Sequence, residues 1–192
     1  MDNFEIKLLS AKDGSWEQFR DNWITQCEAV GEVFEDYSPD VLSVIAGVVS
    51  GSLMLLKGTN ESHVGALFDK ETGNFYACCL LHRAMLPGST GYTLRVRHLL
   101  VSPLLDYGVA PVQMYPDVVV GITLGIVHLS ESVLSAEHIH FHLRSPEDMS
   151  YFRAFGMALD GANVFGSVQT RGAWLYISKA SSANVGLAEE RK

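Results

Sequence analysis

Tyr92 to Ala110 reads YTLRVRHLLVSPLLDYGVA, and this stretch restricts the fold more than any other. A run of strand-forming residues ends at Ser102-Pro103, and a short turn then carries Gly108-Val109-Ala110. A long apolar segment with helical spacing follows. A strand, a glycine turn and then a helix is how a chain presents backbone N–H groups to an anionic ligand.

The segments around it are legible in the same way. Phe4 to Leu9 alternates as a strand. Asp13-Gly14-Ser15 offers caps to a helix over Trp16 to Val30, on which Trp16, Phe19, Trp23 and Cys27 share one face. Ser38-Pro39-Asp40 starts a second helix, expected over Val41 to Leu56 and ended by Gly58-Thr59-Asn60. His63 to Phe68 and Asn74 to Ala84 are strands joined by a turn, and Tyr92 to Val101 continues their meander. Met114 to Leu129 is a helix despite the strand propensity of Val118-Val119-Val120, with its clear periodicity beginning after Pro116. Glu137 to Leu143 is a strand, and Ser145 to Leu159 a helix with Ser145 as cap and Pro146 at its first position. Asn163 to Gln169 and Trp174 to Ser178 close the fold as a hairpin around Thr170-Arg171-Gly172. The order predicts an α+β fold, a mixed and mostly antiparallel central sheet of about seven strands flanked by helices. It forms one domain over residues 1–180, with a polar tail over 181–192.

Composition narrows the function classes. The net charge is −8, with no cluster of Lys and Arg, which argues against a nucleic-acid partner. The best basic spots are Arg83 and the pair Arg95 and Arg97. Cys27, Cys78 and Cys79 do not make a disulfide framework, so a reducing, cytoplasmic compartment is expected. The start MDNFEIKLL lacks the order of a signal peptide. Val41 to Leu56 is uncharged and contains Gly47-x-x-x-Gly51. It is shorter than the ~20 residues a spanning helix needs, so it reads as a buried helix packed on the sheet, and no membrane partner is expected.

Three pieces resemble the GNAT superfamily of N-acyltransferases. LRVRHLLVSP, over residues 94–103, is similar to the family's central strand. Leu105 to Ala110 is similar to its Q/R-x-x-G-x-G/A pyrophosphate loop, and Ser145 to Met157 to its last helix. The resemblance implies a GNAT-like sheet and acetyl-CoA or another acyl-CoA as cofactor. Leu100 and Val101 would hold the acyl-pantetheine through their backbone. Gly108, Val109 and Ala110 would hold the pyrophosphate, with Ser145 capping the last helix. The acceptor would be the amine of a small molecule or protein.

The chain departs from that pattern at Leu105, where Gln or Arg is usual, at Asp106 after it, whose carboxylate repels a pyrophosphate, and at Pro111, whose nitrogen cannot donate. The family's tyrosine position falls on Phe152, with Tyr151 beside it. A second resemblance, carried by Tyr176-Ile177-Ser178-Lys179, is to small GNAT-like internal-virion proteins of short-tailed phages. It implies a virion-associated binding or structural role without catalysis, with a structural protein or another copy of the chain as partner.

Acyl transfer needs a base, an oxyanion donor and an acid for the thiolate. His98 is the central strand's one side chain with a suitable unperturbed pKa, and it either acts as the base or bridges strand and core. Tyr151 is the remaining acid, or a boundary tyrosine packing its ring. His138, His140 and His142 alternate on one face of a strand, opposite Ile139, Phe141 and Leu143. The outer two are ~13 Å apart, so the three do not share one ion, and no metal ligand set is assigned. A ligand or oligomer contact on this face is expected to weaken between about pH 7.5 and 5.5, with His140 carrying the response.

Overall fold

The computed structural model describes residues 3–53, 61–143, 156 and 165–179. Its strands are β1 (Phe4–Leu9), β2 (Glu61–Asp69), β3 (Phe75–Met85), β4 (Tyr92–Val101), β5 (His138–His142), β6 (Ser167–Arg171) and β7 (Trp174–Ser178). They form one seven-stranded sheet in the order β1-β2-β3-β4-β5-β7-β6. β4 and β5 are parallel, and the other neighbouring pairs are antiparallel. The helices are α1 (Ser15–Ala29), α2 (Pro39–Val49), a single turn α3 (Pro103–Asp106) and α4 (Met114–Glu131). The fold class expected from the sequence, a mixed sheet flanked by helices, is the one observed. Among the described residues no helix is long and apolar enough to cross a membrane.

Each face of the sheet carries its own core. On one face α4 buries Val118, Val119, Ile122 and Ile126 against Leu81, Leu94, Val96, Ile139, Phe141, Leu175 and Ile177. Burial thereby overrides the strand propensity of the valine run. On the other face Phe19, Trp23 and Cys27 of α1 and Val41, Leu42 and Ile45 of α2 pack on Val64, Ala66, Phe75, Cys78 and Leu100. Trp23 Nε1 and Gln26 Nε2 both donate to the Phe75 carbonyl, so the N–H groups of the indole and the amide that this burial desolvates are satisfied.

The end of α2 differs from the sequence expectation, and the start of α4 agrees with it. α2 stops at Val49, not at Leu56. The chain turns at Gly51, whose φ of +73° suits glycine, and Leu53 folds back onto Gly47, where a Cβ would collide with it. Residues 54–60 lie outside the described residues. α4 begins at Met114, ahead of Pro116. That proline falls in the first turn, where its missing N–H breaks no intrahelical bond.

Candidate functional site

The two central strands pair over a short distance and then part. Thr93, Leu94, Arg95 and Val96 face His138, Ile139, His140 and Phe141. Beyond Val96, β4 runs on to Val101 while β5 ends at His142. Among the described residues this leaves one edge of Arg97–Val101 without a strand partner. The β3 side of the same segment is irregular. Leu80 faces Arg97 and Cys78 faces Leu100, so Cys79 alone spans His98 and Leu99. This is a β-bulge, and His98 sits in it with a φ of +51°. A left-handed conformation at a β-carbon-bearing residue costs about 1–2 kcal/mol and persists only where the surroundings impose it.

The structure thus places His98 beside the gap, half-buried. The Leu100 side chain enters the α1–α2 core. The Val101 carbonyl accepts a hydrogen bond of 2.8 Å from the Tyr37 hydroxyl. Its peptide N–H, on Ser102, donates to Tyr76 of β3, so that carbonyl points away from β3 toward the open edge. Tyr37, from the loop between α1 and α2, therefore occupies one end of that edge. It had no signal in the sequence, because nothing local marks a tyrosine that reaches a strand end far along the chain.

The loop after β4 is closed on itself. The N–H groups of Leu105 and Asp106 donate to Ser102, Tyr107 donates to Pro103, Gly108 to Leu105 and Ala110 to Leu104. Of the three expected phosphate donors, Gly108 and Ala110 thus have their N–H groups committed to loop carbonyls. Val109 is 61% exposed. Leu105 is buried in the α4-side core, which explains the apolar residue there. The Asp106 carboxylate lies 3.1 Å from the Tyr37 hydroxyl and so has a structural partner. The start of α4 adds Pro116, without a donor, and Asp117, a carboxylate in the first turn. Both weaken the attraction a helix N-terminus has for an anion. Tyr151 and Ser145 lie outside the described residues.

The histidine face is as the alternation predicted. His138, His140 and His142 are half-buried on the side opposite buried Ile139 and Phe141. Strand register extends this face across most of the sheet. Ser62 faces His82, His82 faces Arg95, Arg95 faces His140, His140 faces Tyr176 and Tyr176 faces Gln169, one row from β2 to β6. Beside that row, His142 and Arg171 both face Trp174. The core between α1, α2 and the sheet contains no described residue of β5, β6 or β7, so those two helices leave this half of the face open.

The imidazoles here are held by neighbours. His138 Nδ1 is 3.0 Å from Ser178 Oγ, and His82 Nδ1 is 2.9 Å from Ser62 Oγ. The His140 ring meets Tyr176 edge-on, and His142 lies against Trp174. Burial, then His138 and Arg95, push the His140 pKa down to about 4. Burial, then Arg95 and Arg97, also lower His82. His140 is therefore neutral across the interval in which the sequence expectation had it titrate, and that expectation is corrected. The reason is first the burial of the ring, then His138 on the same strand and Arg95 across the pair, and neither the burial nor the register of Arg95 against His140 was visible in the sequence. Among the described residues no three His, Cys, Asp or Glu side chains are placed to hold one metal ion.

The three cysteines are buried and unpaired. Burial raises the Cys78 thiol well above its ordinary value and Cys79 to about 12, so neither is poised as a nucleophile. No protein-family description and no curated protein matches the chain.

Proposed function

We propose that this chain is a GNAT-like binding protein, virion-associated or otherwise structural, whose cofactor loop no longer serves acyl-coenzyme A. The observation that carries this is the closure of the loop. The N–H groups of Gly108 and Ala110 are held by the carbonyls of Leu105 and Leu104. A hydrogen bond to a charged group contributes roughly 1.5–3 kcal/mol. Withdrawing two of them weakens a pyrophosphate site by about 10² to 10⁴ in affinity. Asp106, Pro111, Pro116 and Asp117 all act in the same direction.

One feature favours the alternative, an acyl-coenzyme A-dependent N-acyltransferase acting on an unidentified amine. β4 and β5 part beyond Val96, and the bulge at His98 leaves a strand edge where a thioester would lie. In that role His98 would be the base, and the backbone near Leu100 and Val101 would hold the acyl group.

Calorimetric titration of the full chain with acetyl-coenzyme A and with coenzyme A separates the two. The binding-protein reading expects no saturation through the Gly108 loop into the millimolar range and no coenzyme A release in the presence of amines. Saturable binding, together with coenzyme A release in the presence of amines, would establish the transferase.

A further inference from the structure

Among the described residues, Arg95 and Arg97 are a pair of cations without a counter-ion. The chain carries more acidic than basic residues, yet among the described residues neither guanidinium has a carboxylate within ion-pair distance. The described ion pairs join Arg20 to Asp21, and His63 and Arg83 to Glu61. The two guanidiniums also converge. Arg95 lies 4.9 Å and Arg97 5.5 Å from the centre of the same Trp174 ring. Stacking on an aromatic ring fixes a guanidinium plane while leaving its N–H donors at the ring's edge. Arg95 Nε is buried and has no hydrogen-bond partner among the described residues.

The surroundings suit a dianion. The row through Arg95 contains His82, His140, Tyr176 and Gln169, all able to donate a hydrogen bond, and no carboxylate. His140 and His82 stay neutral beside the arginines, so the fixed charge of the cluster is that of two guanidiniums. That matches the charge of a phosphate monoester and exceeds that of a single carboxylate. Arginine forks fit tetrahedral phosphate oxygens in pairs.

We propose that the sheet face centred on Arg95 and Arg97, beside His140, binds the phosphate group of a small phosphate monoester. This rests on the preceding reading of the chain as a binding protein and names its ligand class. The site lies on the β4 face opposite α4 and uses none of the donors of the Gly108 loop.

The test is calorimetry of the full chain with inorganic phosphate and with glycerol phosphate, at constant ionic strength against chloride and acetate. One phosphate per chain is expected, with acetate at least about tenfold weaker. Arg97→Gln should weaken phosphate binding roughly tenfold, and the Arg95→Gln, Arg97→Gln pair should abolish it. Arg97→Lys, which keeps the charge and loses the fork, should fall between wild type and Arg97→Gln, and thermal melts identify variants that fold. No saturable phosphate binding, equal binding of acetate, an unchanged affinity in folded Arg97→Gln, or tighter binding of a single-stranded oligonucleotide than of glycerol phosphate would overturn the proposal. Coenzyme A, which carries a 3′-phosphate, is titrated into the same variants. If its binding disappears with the arginines, it occupies this face, in support of the proposal. If its binding survives both substitutions, the loop is functional and the binding-protein reading fails, while the phosphate data still decide this site.

Discussion

The Tyr37 hydroxyl sits 2.8 Å from the carbonyl oxygen of Val101, the last residue of β4. The tyrosine is only 5% exposed, and its ring packs edge-on against Trp23. One hydroxyl has one hydrogen, so Val101 and the Asp106 carboxylate, 3.1 Å away, compete for it. Burial and then the adjacent Asp106 raise the tyrosine's pKa, which keeps that hydrogen in place. Tyr37→Phe keeps the ring and removes the donor. It should destabilise the protein by about 1–3 kcal/mol, measured by urea unfolding. A change near zero would show that water serves the Val101 carbonyl equally well.

His140 is held neutral first by burial, then by His138 and by Arg95, which faces it across the parallel strand pair, and this sets a pH dependence. His140 also meets His138 and His142 along its own strand and Tyr176 on β7, with Arg97 and His82 beyond Arg95. None of these is a carboxylate. An unfolded imidazole titrates near 6.5, whereas His140 in the fold titrates at about 4. Between those values the unfolded chain binds more protons. The stability that His140 confers is therefore complete above about pH 6.5 and is lost as pH falls toward 4. The difference between the pH–stability curves of wild type and His140→Gln isolates this part from the carboxylates. Parallel curves would mean that His140 titrates normally.

Gly125 of α4 lies against β1. A Cβ there would stand 2.8 Å from Ile6 Cβ and 3.0 Å from its Cγ2, too close to the strand backbone for rotamer adjustment to relieve. Gly125→Val should destabilise by about 1–3 kcal/mol or more, beyond any gain in helix propensity. Thermal unfolding measures it. A variant as stable as wild type would mean that α4 can slide along β1.

Cys27, Cys78 and Cys79 are buried, and burial raises each thiol, Cys27 to about 11 and Cys79 to about 12. The folded protein should react with a chromogenic disulfide reagent no faster than it opens, and denaturant should release three thiols at once. Rapid modification of one thiol under native conditions would place it on an accessible path.

Most of the strands and helices were legible because their signals are local. Phe19, Trp23 and Cys27 at helical spacing, the alternation of His138 to His142, and the glycine that closes the last hairpin each lie within a short window, although the hairpin turn falls at Gly172-Ala173, later than the expected Thr170-Arg171-Gly172. The boundary at α2 was not, because Gly47 is read correctly only once Leu53 is seen folding back on it, and Gly51 only once its positive φ is seen. The candidate site was legible in part. His98 and the three histidines were picked out by residue type, whereas Tyr37, Trp174 and the arginine pair gain their meaning from partners far along the chain.

The sequence by itself determined the order of elements, which side chains share a strand face, and the absence of a cationic or amide residue at Leu105. These follow from periodicity and side-chain chemistry. Only the tertiary structure decided that Arg95 stands opposite His140, that His98 occupies a bulge, and that the N–H groups of Gly108 and Ala110 turn inward. Strand register is a relation between segments, and a slip of one residue would send every side chain of a strand to the other face. A bulge exists only relative to its partner strand, and a backbone donor is free or committed according to which carbonyl the folded chain brings to it.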